Sequence, residues 1–180
     1  MMNSRFSFVQ NNILRQNMDE TFDHIMALIP FTESSSYNSA AKSSFRKTII
    51  IYTASIVEAL LFHLLEKKVS EHELVTNTWE LKNKKVLHII SNDHQIVAGD
   101  YKKIQHSIDK EKLNLGQIST FLKSKQLIKK SLFKEIDEIR IMRNDQHIGS
   151  HQKVKSYSKQ ELDRAFSIAS SVRVFVMQNI

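Results

Sequence analysis

Phe45, Ile49, Tyr52, Ile56, Leu60 and Leu64 stand three or four residues apart, the repeat of an α-helix, and predict a long helix over residues 39–69. The β-branched run Ile49-Ile50-Ile51 does not end it, because the apolar face continues past it for four turns. Before it, residues 6–29 read as a first helix with Phe8, Ile13, Phe22, Ile25, Met26 and Ile29 as packing residues. That helix stops at Pro30, since a residue preceding proline disfavours helical dihedrals. Residues 31–38, with serines at 34 to 36, form a polar connector. Downstream, Leu115, Ile118, Phe121 and Leu122 mark one face of a short helix over residues 114–125, with Asn114 as its N-cap. A further helix is expected over residues 131–147, capped by Ser131. A last one over residues 159–178 is opened by the capping-box sequence Ser158-Lys159-Gln160-Glu161, with Leu162, Ala165, Phe166, Ala169, Val172, Phe175 and Val176 as its packing face. Residues 149–157 read as a polar loop.

The middle of the chain changes character. Residues 71–78 are polar and irregular, and KVLHII and QIVAGDYKKI flank the turn Ser91-Asn92-Asp93. The expected fold is therefore mainly α: an up-and-down bundle of about five helices, with a small β-hairpin inserted at about residues 84–104, in one domain spanning the chain. With 180 residues, that domain is large enough to bury a proper core. Only three glycines and one proline agree with long helices rather than a turn-rich β architecture. Cysteine is absent, which removes disulfides, thiolate metal sites and cysteine nucleophiles together and suits a cytoplasmic location. The N-terminal stretch has no continuous apolar core of the signal-peptide type. Glu58 and His63 interrupt the most apolar run, residues 48–65, so no membrane partner is expected. A net charge of +7 favours polyanionic partners without choosing between nucleic acid and anionic lipid.

Residues 135–151, EIDEIRIMRNDQHIGSH, carry the candidate chemistry. Wound at 100° per residue with Arg140 at 0°, Arg143 falls at about 300°, Asn144 at about 40° and His147 at about 340°. Leu132, Ile136 and Ile139 project at about 280°, 320° and 260°, so this polar stripe overlaps the side expected to be buried. Charges placed there must find partners, line a cleft or meet a second subunit. One reading makes Arg140, Arg143 and His147 a structural salt-bridge cluster with Asp137 or Glu58. Glu58 itself either sits at the edge of the buried face with its carboxylate in water or pairs with an arginine of the stripe. His147 and His151, four apart, would suit a metal only on one continuous helix, and Gly149-Ser150 between them argues against that. Three scattered glycines exclude a glycine-rich phosphate loop.

The spacing of Arg140 and His147, with Arg143-Asn144 between them, resembles the R-x4–6-H active-site motif of the HEPN superfamily (higher eukaryotes and prokaryotes nucleotide-binding). The stretch SFRKTIIIYTASIVEALLFHLL, with Glu58 in its apolar run, is similar to a glutamate-bearing helix of that superfamily in the same order along the chain. Two features depart from the pattern. Ile141 stands where a polar residue commonly follows the arginine, and counting from Arg143 the histidine comes one residue early.

Metal-independent RNA cleavage suits these residue types. RNA carries its own nucleophile in the 2′-hydroxyl, so the enzyme need only move protons and stabilise charge. His147 can exchange a proton near neutral pH, with a reference pKa of about 6.5. The guanidinium forks of Arg140 and Arg143 match two phosphoryl oxygens, and Asn144 can hold the scissile phosphate or orient a neighbour. Lys102 and Lys103, at the basic end of the expected hairpin, either lie along an RNA backbone or form a solvated face. The resemblance implies further that the products end in a 2′,3′-cyclic phosphate and a 5′-hydroxyl, with no cofactor. It also implies that two chains pair with their motif helices across a two-fold axis, and that the protein is a prokaryotic toxin or antiviral defence effector with an antitoxin or partner protein. The competing expectations are a non-catalytic HEPN-like module that binds RNA or protein, and a helical scaffold outside that superfamily.

Overall fold

A computed structural model describes residues 4–145 and 155–180. Among them are five α-helices and one two-stranded antiparallel sheet, and the chain divides into a helical unit (Met1–Lys68 with Leu113–Ile180) and a hairpin unit (Val69–Lys112).

The helical unit is built around α2, Ser39–Lys68, which packs against α1 (Asn12–Leu28), α3 (Leu115–Ser124), α4 (Lys130–Asn144) and α5 (Lys159–Asn179). Its C-terminal half is apolar on nearly every side, as a helix surrounded by others must be. Ile49, Ile50, Ala54, Val57, Leu60, Leu61, Leu64 and Leu65 are all at most 1% exposed. By length and composition α2 could cross a bilayer, yet 61% of its most apolar stretch is buried within this unit. Ile136 and Ile139 of α4 and Ala165, Ile168, Val172 and Val176 of α5 complete the core. Arg164 clasps Glu138 with both Nε and Nη2, at 2.7 to 3.1 Å, joining α5 to α4 and holding the Glu138 carboxyl below its ordinary range.

Several expected boundaries move. α1 begins at Asn12, not at residue 6, because the Asn11 side chain accepts from the Leu14 amide and caps the helix there. Phe6 and Val9 precede the helix and are buried, whereas Ile13 is 75% and Met26 48% exposed; Ile25, as expected, and Met18, which was not expected, provide the buried face of α1. α4 starts at Lys130 after Lys129, whose side chain makes no capping bond, so Ser131 is not the cap. It ends at Asn144. The capping boxes at Asn114/Gln117 and Ser158/Glu161 form as their sequences require.

The hairpin is longer than expected. β1, Val75–Ser91, pairs with β2, His94–Ser107, and residues 75–78, expected to be irregular, belong to β1. Three register irregularities all place the extra residues in β1, so β2 runs regularly while β1 bulges. At the first bulge Asn83 has a φ of 52°, a left-handed conformation that asparagine tolerates. Opposite it, Gly99 lets the Lys82 carbonyl approach to where a Cβ would stand 2.6 Å away.

Candidate functional site

The polar stripe of α4 falls at the margin of the buried face, not within it. Ile136 and Ile139 are fully buried, while the Arg140 and Arg143 side chains keep 33% and 36% of their exposure and Asn144 is exposed. The helical arithmetic placed these residues correctly relative to one another. It overstated their burial, since both guanidinium side chains keep about a third of their exposure beside the buried Ile136 and Ile139.

Each arginine has a carboxylate partner. Glu58 projects from α2, and its Oε2 accepts from Arg143 Nη1 at 2.5 Å. Of the two sequence readings of Glu58, the paired one is the observed geometry. Arg140 donates from Nε to Asp137 Oδ1 one turn earlier on the same helix, at 2.7 Å. The salt-bridge cluster expected with Asp137 and Glu58 therefore exists for both arginines.

The same arginines line a cleft of about 440 Å³, shared by Ile51, Asn114, Leu115, Gly116, Arg140, Arg143 and Asn144. Its far wall is the first turn of α3, which the sequence did not tie to the motif. Asn114 accepts from the Gln117 amide and Gln117 Oε1 from the Asn114 amide, both at 3.0 Å. In this arrangement the Leu115 and Gly116 amides start a helix and have no intrahelical acceptor, so the positive end of the α3 dipole meets the two guanidiniums. Gly116 permits the close approach. A Cβ there would lie 3.0 Å from Arg140 Cδ. The Asn114 cap was legible in the sequence, but its position opposite α4 depends on how α3 returns to the core, which periodicity does not encode. The cleft joins three sources of positive potential around an open space with a mixed polar and apolar lining, an arrangement that can hold a phosphate.

His147 and His151, with the other residues from 146 to 154, lie outside the described residues. The two ends of that segment are joined: Lys155 Nζ reaches Asp145 Oδ2 at 2.6 Å, and the Tyr157 hydroxyl donates to the Asp145 carbonyl at 3.4 Å. Burial lowers the Lys155 pKa, but the hydrogen bond and charge of Asp145, aided by Glu161, outweigh it and leave the ammonium above its ordinary value. Burial raises the Tyr157 hydroxyl pKa. Tyr157 is anchored in turn through its amide to Ser43 Oγ at 2.8 Å, and Arg46 donates to the Tyr157 carbonyl at 3.2 Å.

Lys102 and Lys103 are both exposed on β2 of the hairpin unit, opposite Glu80 and Trp79. Among the described residues no three His, Asp or Glu side chains cluster in a way that could hold a metal ion. Comparison with models of known protein families, with curated proteins and with solved structures finds no match.

Proposed function

We propose that the helical unit is an up-and-down HEPN-type bundle whose Arg140–Arg143–Asn144 cleft binds the RNA backbone, and that with His147 it cleaves RNA without a metal. One observation carries this reading: two guanidiniums, an amide and a helix N-terminus converge on one open cleft. The guanidiniums and the α3 amides would stabilise the negative charge that grows on the phosphoryl oxygens as the 2′-hydroxyl attacks. His147 would take the 2′-hydroxyl proton or deliver one to the departing 5′-oxygen, leaving a 2′,3′-cyclic phosphate and a 5′-hydroxyl. Glu58 would set the Arg143 fork, as a carboxylate partner fixes a guanidinium plane. In this reading two chains pair across a two-fold axis at their motif helices. The protein would act in the cytoplasm as a growth-restricting toxin or defence effector, checked by an antitoxin or partner protein. Lys102, on the charged side of the hairpin, would add a phosphate contact, while Lys103 lies on the other face of the strand.

A second reading is favoured by one observation, the carboxylate already bound to each arginine. A phosphate must compete with Glu58 and Asp137, which suits a module that binds RNA or protein and does not cut. The test is incubation of the purified chain with mixed RNAs in excess EDTA, followed by analysis of the ends formed. Cyclic-phosphate ends made by the wild type and lost in a folded His147→Ala chain support cleavage. RNA bound but uncut supports the second reading, and activity that requires an added divalent ion overturns the metal-independent mechanism.

A further inference from the structure

The hairpin presents two unlike faces. Along the regular strand β2 the residues at odd positions share one side, and their register partners in β1 share it with them. That side carries Trp79, Leu81 and Tyr101 near one end and Val86, Val97 and Ile89 towards the turn, with Lys103 as its one charged residue. The opposite side carries Glu80, Lys82, Lys85, Asp100 and Lys102, with Ile96 and Ile104 as its large apolar residues. Its charges answer one another locally, Lys82 and His106 each reaching Glu80 at 2.7 Å. Yet the apolar side is open: Trp79 is 66%, Tyr101 67%, Ile89 68% and Val86 50% exposed. A two-stranded hairpin is at best marginally stable in water without a layer against one face.

We propose that this apolar face docks on the same face of a second copy of the chain. Its area fits that occupant. At roughly 100 Å² of exposed side chain apiece, the four exposed residues Trp79, Val86, Ile89 and Tyr101 offer about 400 Å², close to the apolar share of the about 800 Å² that each partner contributes to a standard interface. Its charge fits as well. A face with one lysine at its end can meet itself across a two-fold axis without opposing a block of like charges. Nucleic acid would instead require the lysines on the side that carries the aromatic rings, and most of them lie on the other side. The proposal does not depend on RNA cleavage.

Trp79 is the single tryptophan of the chain, so its fluorescence reports this face alone. The experiment follows emission and acrylamide quenching of the full chain through a dilution series, beside the mass from sedimentation. The expected result is that Trp79 shifts to the blue and becomes shielded in step with the doubling of mass. Val86→Glu and Ile89→Glu, at exposed positions and checked for unchanged circular dichroism, should weaken association by about tenfold or more by placing a charge in the seam and leave Trp79 accessible. A chain that stays monomeric overturns the proposal. So does a dimer in which Trp79 is quenched as in the monomer, since another surface then forms it, and so does shielding that appears only when single-stranded RNA is added. Cleavage assays on the same samples fail or succeed separately, so loss of the ribonuclease reading and loss of this one are distinguishable.

Discussion

Removing Glu58 should cost more than removing any other carboxylate near the cleft, and the amount follows from where the pair sits. The Glu58 and Arg143 side chains retain 23% and 36% exposure, between a surface pair and a buried one. Exposed pairs couple by about 0.2–1 kcal/mol, whereas breaking a buried pair costs about 3–5 kcal/mol. Solvent screening at Arg143 pulls the value towards the lower range, so a coupling of about 1–2 kcal/mol is expected. For a chain of this size that corresponds to a fall of about 2–8 °C in Tm for Glu58→Ala. The assay is a double-mutant cycle of Glu58→Ala and Arg143→Ala, with thermal and urea unfolding followed by helical circular dichroism. The control cycle is Asp137→Ala with Arg140→Ala, whose side chains are 39% and 33% exposed and lie one turn apart on one helix. There about 0.2–0.5 kcal/mol is expected, and added salt should erase most of it. A Glu58–Arg143 coupling no larger than the control would refute the reasoning, because Glu58 would then not anchor Arg143 at the cleft.

Three further outcomes follow from single residues. His63 is 1% exposed, and neither ring nitrogen has a partner among the described residues. Burial, reinforced by Lys67, lowers its pKa against a smaller opposing effect of Glu66. The stability gained by keeping it neutral is complete above the ordinary value of about 6.5 and is lost as pH falls through the lowered folded value. His63→Leu should therefore raise Tm and flatten its decline in mildly acidic buffer, and an unchanged pH profile would contradict this. Gly116→Ala should leave folding intact or gain up to about 1 kcal/mol, because the atom it meets at 3.0 Å belongs to the flexible Arg140 side chain. The displaced guanidinium should weaken RNA binding in an anisotropy titration, and unchanged affinity would remove Arg140 from the binding surface. Asn114→Ala removes the α3 cap and should cost about 1 kcal/mol in urea unfolding, while Asn114→Asp should retain most of it.

Much of this protein was determined by local pattern. The three- and four-residue spacing of α2, the capping boxes at Asn114 and Ser158 and the turn at Asn92-Asp93 specify their elements through interactions within a few residues, and all are present. The order of Arg140, Arg143 and Asn144 around α4 is equally local, since helix geometry alone sets it. Where α1 begins, and which of its apolar residues are buried, depends instead on what lies beside it. Ile13 keeps the helical period and faces water, while Phe6 and Val9 are buried from outside the helix. The extent of the hairpin was missed for a similar reason, since Thr76, Asn77 and Thr78 are strand residues only because 104–106 lie opposite them. The cleft belongs wholly to the tertiary structure. Its two walls come from α4 and from a helix start about two dozen residues earlier, and Glu58 reaches Arg143 across 85 residues of sequence. Periodicity states which face of a helix seeks contact, but which helix answers it, and how nearly a charge at the margin is covered, is decided only when the core closes.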